Sequence, residues 1–465
     1  MGTETVASSG SIEKLQAHFG GALVRPEDDV YDEFRGVFNA MIDRRPALIA
    51  RCTGVADVIA AIRFARENEL AIAVLGGGHS VIGYGVCDEG LVVDLRPMKG
   101  IWVDPNRQVA RAQAGVTWGE FDRETQVHGL AVTGGRVSTT GIAGLALGSG
   151  SGWLERKFGL TPDNLLSAEL VTADGKVVRA SADENDDLFW GLRGGGGNFG
   201  VVTSFEFSLH LVGPLLLAGM VMHTAERAPE ILRFYREFME QAPDEVLGAL
   251  AFITAPPAPF VPPDLQGQPA VAIIMAYAGG VEDGEHELQR LREFGPPEVE
   301  LVAPMPYTGL QTLLNEANPS GLHNYWKAEN FVELSDEAID VMIARAAQVR
   351  SPHTEFLLIP CGGALARVED DATALGGRDA MWQYHALSLW ASPAESEQHI
   401  GWARETAEAL RPFTKAGIYL NYTSDEGEDR VRSAYGPKYD RLVALKNKYD
   451  PTNVFCNNQN IKPTV

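Results

Sequence analysis

Three glycine clusters, spaced along the first two hundred residues and separated by strand and helix patterns, constrain this chain more than any other feature. The first is Val74-Leu75-Gly76-Gly77-Gly78-His79-Ser80, an apolar run that stops in three glycines and a histidine. Residues 71–75 read as a short buried strand, and the glycines then offer φ > 0 and no side chains. Successive amides in such a turn form a positive concavity that can close on an anion. On these residues alone, His79 is either a solvated turn residue or a group held at the rim of a phosphate cradle.

The second cluster spans 134–152 and includes Gly141, Gly144, Gly148 and Gly150; the third is Gly194-Gly195-Gly196-Gly197-Asn198-Phe199-Gly200. Glycine costs unfolded-state entropy, so clusters persist where backbone must approach something closely. Around them the pattern gives a strand at 47–52, a helix from Val55 to about Asn68 and the strand 71–75, a βαβ unit that delivers the first turn. Strands follow at 91–95 and 108–112, a helix at 118–128, and strands at 168–172 and 177–180 about the Asp174-Gly175 turn. The third cluster enters a strand at 201–209. Beyond Gly213-Pro214 the character changes to amphipathic helices at 228–241 and 335–350, alternating with strands at 247–254, 270–276, 355–359 and 384–390.

Composition narrows the classes. A net charge of −23 repels phosphate backbones, which argues against nucleic acid as a partner. No apolar run reaches the ~18 residues of a membrane span, and residues 1–11 lack a signal-peptide pattern, so a cytoplasmic location is expected. Four dispersed cysteines form no CxxC pair, and the ten histidines form no HxH or HxxxH pair, so no metal is expected. GxxxxGK[ST] is absent, GxGxxG does not open a helix after the first strand, and no serine in 148–152 has the spacing of a nucleophile elbow. What these exclusions leave is a large anionic ligand held mainly by main chain.

Leu75 to Ser80, then Gly83, then Asp94-Leu95 ahead of Met98, resembles the histidine-bearing segment of flavoproteins of the vanillyl-alcohol oxidase/p-cresol methylhydroxylase (PCMH) superfamily. Gly191-Leu192-Arg193-Gly194 through Thr203 is similar to a second motif of that group. Tyr419-Leu420-Asn421-Tyr422, Tyr435-Gly436, Tyr439-Asp440-Arg441-Leu442 and Lys448 to Phe455 resemble the berberine-bridge-enzyme-like (BBE-like) branch. Residues 372–374 with 378–380, and Trp390, match its bacterial 6-hydroxynicotine oxidase and aclacinomycin oxidoreductase type. The resemblance implies an α+β fold: a PCMH-type FAD-binding domain over 1–210, an α/β substrate domain over 211–414, and a BBE-type segment over 415–465 that completes the FAD domain.

It also implies FAD, bonded covalently through a ring nitrogen of His79 and held by Gly76, Gly77, Gly78, Ser80, Gly83, Gly135, Ser138, Thr139, Gly141, Gly144, Gly148, Gly150, Gly200, Val202, Asn457 and Asn460. Two departures matter. Val137 stands where doubly linked members carry cysteine, so a single link is expected. Leu75 stands where many members carry a base, whose contact Arg136 could supply. Tyr422 falls on the tyrosine that relatives use as active-site base, with Asn421 orienting substrate or flavin. An isolated phenol titrates near pH ~10, so a base role requires a neighbouring positive or donor group. Cys361 replaces a second tyrosine of some relatives, as a lining residue or a buried apolar one. Tyr84, Tyr384 and His385 are further pocket candidates.

The implied reaction is hydride transfer from an alcohol or amine C–H of a small, ring-containing substrate to flavin, then electron transfer to O₂ giving H₂O₂, with Gly135 leaving space for the oxygen. The alternatives are a dehydrogenase with another acceptor, and a flavoprotein that binds a metabolite without turning it over.

Overall fold

The computed structural model describes residues 9–415, 420–422 and 427–465; Tyr419, which opens the Tyr419–Tyr422 motif, lies outside the described residues. Near the N-terminus, Leu48–Arg51 and Ile72–Leu75 flank the helix Val55–Glu67 as the βαβ pattern requires. The two strands are nevertheless not neighbours. Leu91–Asp94 lies between them, parallel to both, and Ala22–Val24 extends the edge antiparallel to Leu48–Arg51. The inserted strand is buried at all four positions, as suits a central parallel strand covered on both faces.

A second, antiparallel sheet runs in the order Ile101–Asp104, Val109–Gln113, Val201–Ser208, Leu165–Val171, Val177–Ser181. The turn between its last two strands carries Gly175 at φ +78°, which glycine adopts without a Cβ penalty. Both sheets feed one apolar core with residues from Ile12 to Leu209. That core also takes in Ala374 and, from the C-terminal segment, Tyr435, Leu442, Phe455 and Ile461.

The middle of the chain builds a seven-stranded antiparallel sheet. Its order is Val299–Pro306, Leu215–Thr224, Pro269–Tyr277, Val246–Thr254, Glu355–Pro360, Trp382–Trp390, His323–Phe331. The helix Ala228–Gln241 falls on the residues that the apolar spacing predicts, and it buries Ile231, Leu232 and Tyr235 against one face together with Phe356, Leu358 and Tyr384. Alternation along the strands sends Leu357, Ile359 and Leu387 to the other face.

The C-terminal segment is fixed by a buried ion pair. Lys446 and Asp450, both fully buried, meet at 2.7 Å. Lys446 Nζ also donates to the carbonyls of Asn198 and Phe455, each at 2.9 Å, and Asp450 accepts from the amides of Val454 and Phe455. Every polar atom of the pair that matters is therefore satisfied, and the tail is tied to the third glycine cluster. Lys446→Met strands the carboxylate and should cost roughly 3–5 kcal/mol in urea unfolding; a loss below about 1 kcal/mol would show that the pair does not hold the tail.

Candidate active site

The glycines of the first two clusters serve different ends. Gly78 takes φ +74°, the left-handed conformation that turns the chain toward His79. Gly77 is there for proximity: a Cβ on it would lie 2.2 Å from the amide nitrogen of Gly141, and a Cβ on Gly141 would lie 2.3 Å from that of Gly77. The two loops thus cross backbone to backbone. Residues 138–142 are in turn pinned along the start of the helix Trp118–Gln126, through Trp118 N to Thr140 O at 2.9 Å and Gly119 N to Ser138 O at 2.8 Å.

A cavity of about 310 Å³ opens between these loops and the free face of the seven-stranded sheet. Of the residues expected to hold a cofactor, Gly76, Gly77, Gly78, His79, Ser80, Gly135, Gly141, Gly144, Gly148, Gly200, Val202 and Asn457 line it. So do Tyr84, His385, Asn421 and Tyr422 from the expected catalytic and pocket residues.

The His79 ring is half-buried at the cavity wall. Phe38 stacks on it with ring centres 4.3 Å apart, while Nε2 lies 2.9 Å from Thr139 Oγ1 and Nδ1 lies 3.4 Å from Thr140 Oγ1. Burial lowers its pKa from 6.5 to about 4, so the imidazole is neutral at physiological pH. Val137 lines the cavity nearby.

On the opposite side, Tyr422 stands over His385, with ring centres 4.4 Å apart, and His385 meets the edge of Trp326 at 5.2 Å. Arg136 Nη1 reaches the Tyr422 hydroxyl at 3.4 Å and donates to Ser151 Oγ at 2.8 Å. Its Nη2 donates to Glu155 Oε1 at 2.9 Å, and Ser151 Oγ donates to Glu155 Oε2 at 2.5 Å. Arg136 is thus the positive neighbour a working phenol requires. Burial raises the Tyr422 pKa and outweighs the pull of Arg136 and Ser151 in the other direction, so the resting group is the neutral phenol. His385 is pushed down to about 3, first by burial and then by Arg136, and is neutral as well.

Asn421, expected to orient substrate or flavin, lines the cavity and directs its side-chain amide to the second glycine cluster. Its Oδ1 accepts from Ser149 N, Ser149 Oγ and Gly150 N, and its Nδ2 donates to Gly144 O at 2.9 Å. The amide braces the glycine loop and thereby fixes where Tyr422 starts. The asparagines of the tail act similarly. Asn457 Nδ2 donates to the carbonyls of Tyr84 and Val86, and Asn458 Nδ2 to that of Gly197.

Other expected residues stand outside the cavity wall. Thr139 reaches the site only through His79, and Ser138 is held from behind by Asn315, which accepts from its amide and donates to its hydroxyl. Gly83 packs against Ile42, and Gly150, at φ +68°, packs against Thr161 and Pro162. Asn460 is absent from the wall, with Oδ1 buried and unpartnered. Tyr384 is corrected by strand alternation: its neighbour His385 faces the cavity, so Tyr384 points into the helix-covered core against Phe331 and Phe356. Cys361 is wholly buried off the wall, as a small apolar residue would be, while its carbonyl accepts from Arg156 Nη1 at 2.6 Å.

Sequence reading missed Phe38, Asn318, Trp326 and Glu355, all of which line the cavity. Only Glu355 left a signal: an acid opening the otherwise apolar run 355–360, in phase with Leu357 and Ile359.

The wall fits a flavin dinucleotide. A Cβ added at Gly144 or Gly197 would meet nothing within 4 Å, leaving room for a bulky ligand against bare backbone. Three wall residues carry buried polar atoms without a hydrogen-bond partner, Arg136 Nε, His385 Nε2 and Asn458 Oδ1, and such atoms are rare unless something else satisfies them. In ligand-free protein, comparison of imidazole NMR resonances between wild type and His79→Gln should show no His79 titration step near pH 6.5, and protonation only toward about 4. A step at the ordinary histidine pKa would mean that the ring is not desolvated.

Known proteins share this arrangement. A family model described as "FAD binding domain" matches residues 46–181, and one described as "Berberine and berberine like" matches residues 418–462. The chain is 33% identical to (R)-6-hydroxynicotine oxidase of Paenarthrobacter nicotinovorans, over 95% of this chain and 97% of that protein. It is 32% identical to an FAD-linked oxidoreductase of Dictyostelium discoideum, over 92% and 91% of the two chains. The crystal structure of 6-hydroxy-D-nicotine oxidase from Arthrobacter nicotinovorans superposes with a TM-score of 0.86 at 31% identity, covering 96% of this chain and 98% of that one. The chain belongs to the berberine-bridge-enzyme-like family of FAD-linked oxidoreductases.

Proposed function

We propose that this protein is an oxidase that removes hydride from an alcohol or amine C–H of a small, ring-containing molecule, with FAD joined to His79 by a single covalent link. The observation that carries the reading is that His79 and Tyr422 line one cavity, each held by its own set of neighbouring side chains. Bound FAD would supply the two-electron acceptor and hand the electrons on to O₂, giving H₂O₂.

The chain's own residues have separable tasks. The neutral imidazole of His79 keeps a lone pair for bonding, and Phe38, Thr139 and Thr140 fix its ring. Val137 has no thiol, which supports one link and not two. Leu357, Ile359 and Leu387 exclude water from the reacting face. Tyr422 holds the substrate hydroxyl or amine by hydrogen bond. Arg136 and Ser151 stabilise negative charge on the phenol oxygen and so favour the phenolate, which forms by loss of the phenol proton to solvent and is the form that takes the substrate proton as hydride departs.

Acid denaturation should leave yellow colour in the protein pellet; colour in the supernatant refutes the covalent link. His79→Ala should release flavin under that treatment. Tyr422→Phe should slow anaerobic flavin reduction by roughly 10²–10⁴-fold while the protein stays yellow. Reduced enzyme should reoxidise in air within seconds; persistence of the bleached form would assign a dehydrogenase in place of an oxidase.

A further inference from the structure

Among the described residues that line the cavity Glu355 is the only carboxylic acid, and none of these tasks uses it. Glu355 opens the strand Glu355–Pro360 and turns the same way as Leu357 and Ile359, onto the cavity. In the register of the sheet it faces Leu387, and the next row on that face is Leu357 opposite His385, the ring beneath Tyr422. Glu355 therefore sits one pleat repeat, roughly 7 Å, from the row that meets the catalytic tyrosine.

Its surroundings do not satisfy a carboxylate. Leu314, Leu357 and Leu387 share this part of the wall, and the side chain is buried. Asn318 Nδ2 donates to Oε2 at 3.5 Å, at the outer limit of a hydrogen bond. Among the described residues no lysine or arginine pairs with it. An acid in such a place is costly unless something arrives to compensate it.

We infer that Glu355 is the substrate anchor, and that the enzyme takes a small ring compound carrying a basic nitrogen, remote from the reacting C–H, whose ammonium docks on this carboxylate. The inference rests on the cavity being the flavin and substrate site. Burial with no cation beside it pushes the carboxyl up to about 7, so an incoming ammonium would draw it fully into the charged form. A sugar is the poorer fit. Its hydroxyls call for several donors and acceptors around each ring, whereas this end of the wall offers leucines and a single amide. The net charge of −23 also raises the local concentration of cations near the mouth.

A matched pair of probes tests the anchor: 4-(aminomethyl)benzyl alcohol, which carries an ammonium across the ring from an oxidisable carbinol, and the neutral 1,4-benzenedimethanol. Binding is read from flavin absorbance changes of the anaerobic holoenzyme and, without reliance on flavin, from the shift in Tm. Wild type should bind the amine at least about tenfold more tightly than the diol, as a charge-assisted contact would give. Glu355→Gln and Glu355→Leu should both abolish that preference. Without ligand, Glu355→Leu should melt at or above the wild-type temperature, because an unpaired buried carboxyl has been removed. Equal affinities in wild type, a preference that survives in Glu355→Gln, or a fall in the Tm of Glu355→Leu of more than about 5 °C, overturns the proposal. If the protein proves to carry no flavin, a Tm preference for the amine that Glu355→Gln removes still supports the anchor. Flavin bleached equally by both probes sinks the anchor and leaves the oxidase reading standing.

Discussion

The crossing of Gly77 over Gly141 is the constraint on which the site depends. Neither position tolerates a Cβ, because each would drive into the other's backbone nitrogen. With both bare, the loop after Ile72–Leu75 and the loop before the helix Ile142–Leu147 come close enough for His79 to reach Thr139 and Thr140. The histidine is thus positioned by two chain segments about sixty residues apart, and neither fixes it alone. A side chain on a free turn would sample many rotamers. Here the stacked Phe38 and the two hydroxyls leave the ring one orientation, which is what bonding at a defined atom demands.

A second set of interactions fixes the other side of the cavity by a different kind of physics. Arg136 and Glu155 form a nearly buried pair, with side chains 9% and 2% exposed, and Ser151 bridges them toward Tyr422. A pair of this sort contributes little net stability over an apolar substitute, since desolvation offsets most of the attraction. Its value lies in direction. Glu155 holds Arg136 so that one guanidinium nitrogen faces the phenol, and the charge is ready where negative charge would develop. The same outlay is visible in Asn421, whose amide braces residues 144–150.

Much of this was legible in the sequence, for identifiable reasons. The glycine clusters, the histidine and the Asn421-Tyr422 pair are local signatures, and residues that must sit on bare backbone leave a compositional trace. The helix Ala228–Gln241 was readable because its apolar residues keep a 3.6-residue period. Strand order was not: the insertion of Leu91–Asp94 between the strands of the βαβ unit depends on hydrogen bonds that no local pattern records. The strands Leu215–Thr224, Val299–Pro306 and His323–Phe331 escaped for a related reason. The last mixes His323, Lys327 and Glu329 into a segment stabilised by pairing with Trp382–Trp390. Tyr384 and His385 show the limit most clearly. Adjacent residues on one strand must point to opposite faces, so naming both as pocket residues put one of them in the core.

That alternation divides the labour of the molecule. The wall built by the first two glycine clusters is mostly main chain, and substitutions there are restricted by backbone contact. The wall facing them is one side of an antiparallel sheet, where positions 355, 357, 359, 385 and 387 project into the cavity while 356, 358, 384 and 386 pack against helices. A change at one of the first set alters the lining, and a change at one of the second alters the helix-covered core. One sheet can therefore present acids, amides or apolar groups to different substrates on an unchanged cofactor cradle. In this chain it presents leucine and isoleucine at three of those five positions, with a single carboxyl at the far end, and that contrast is what makes Glu355 readable as a recognition group.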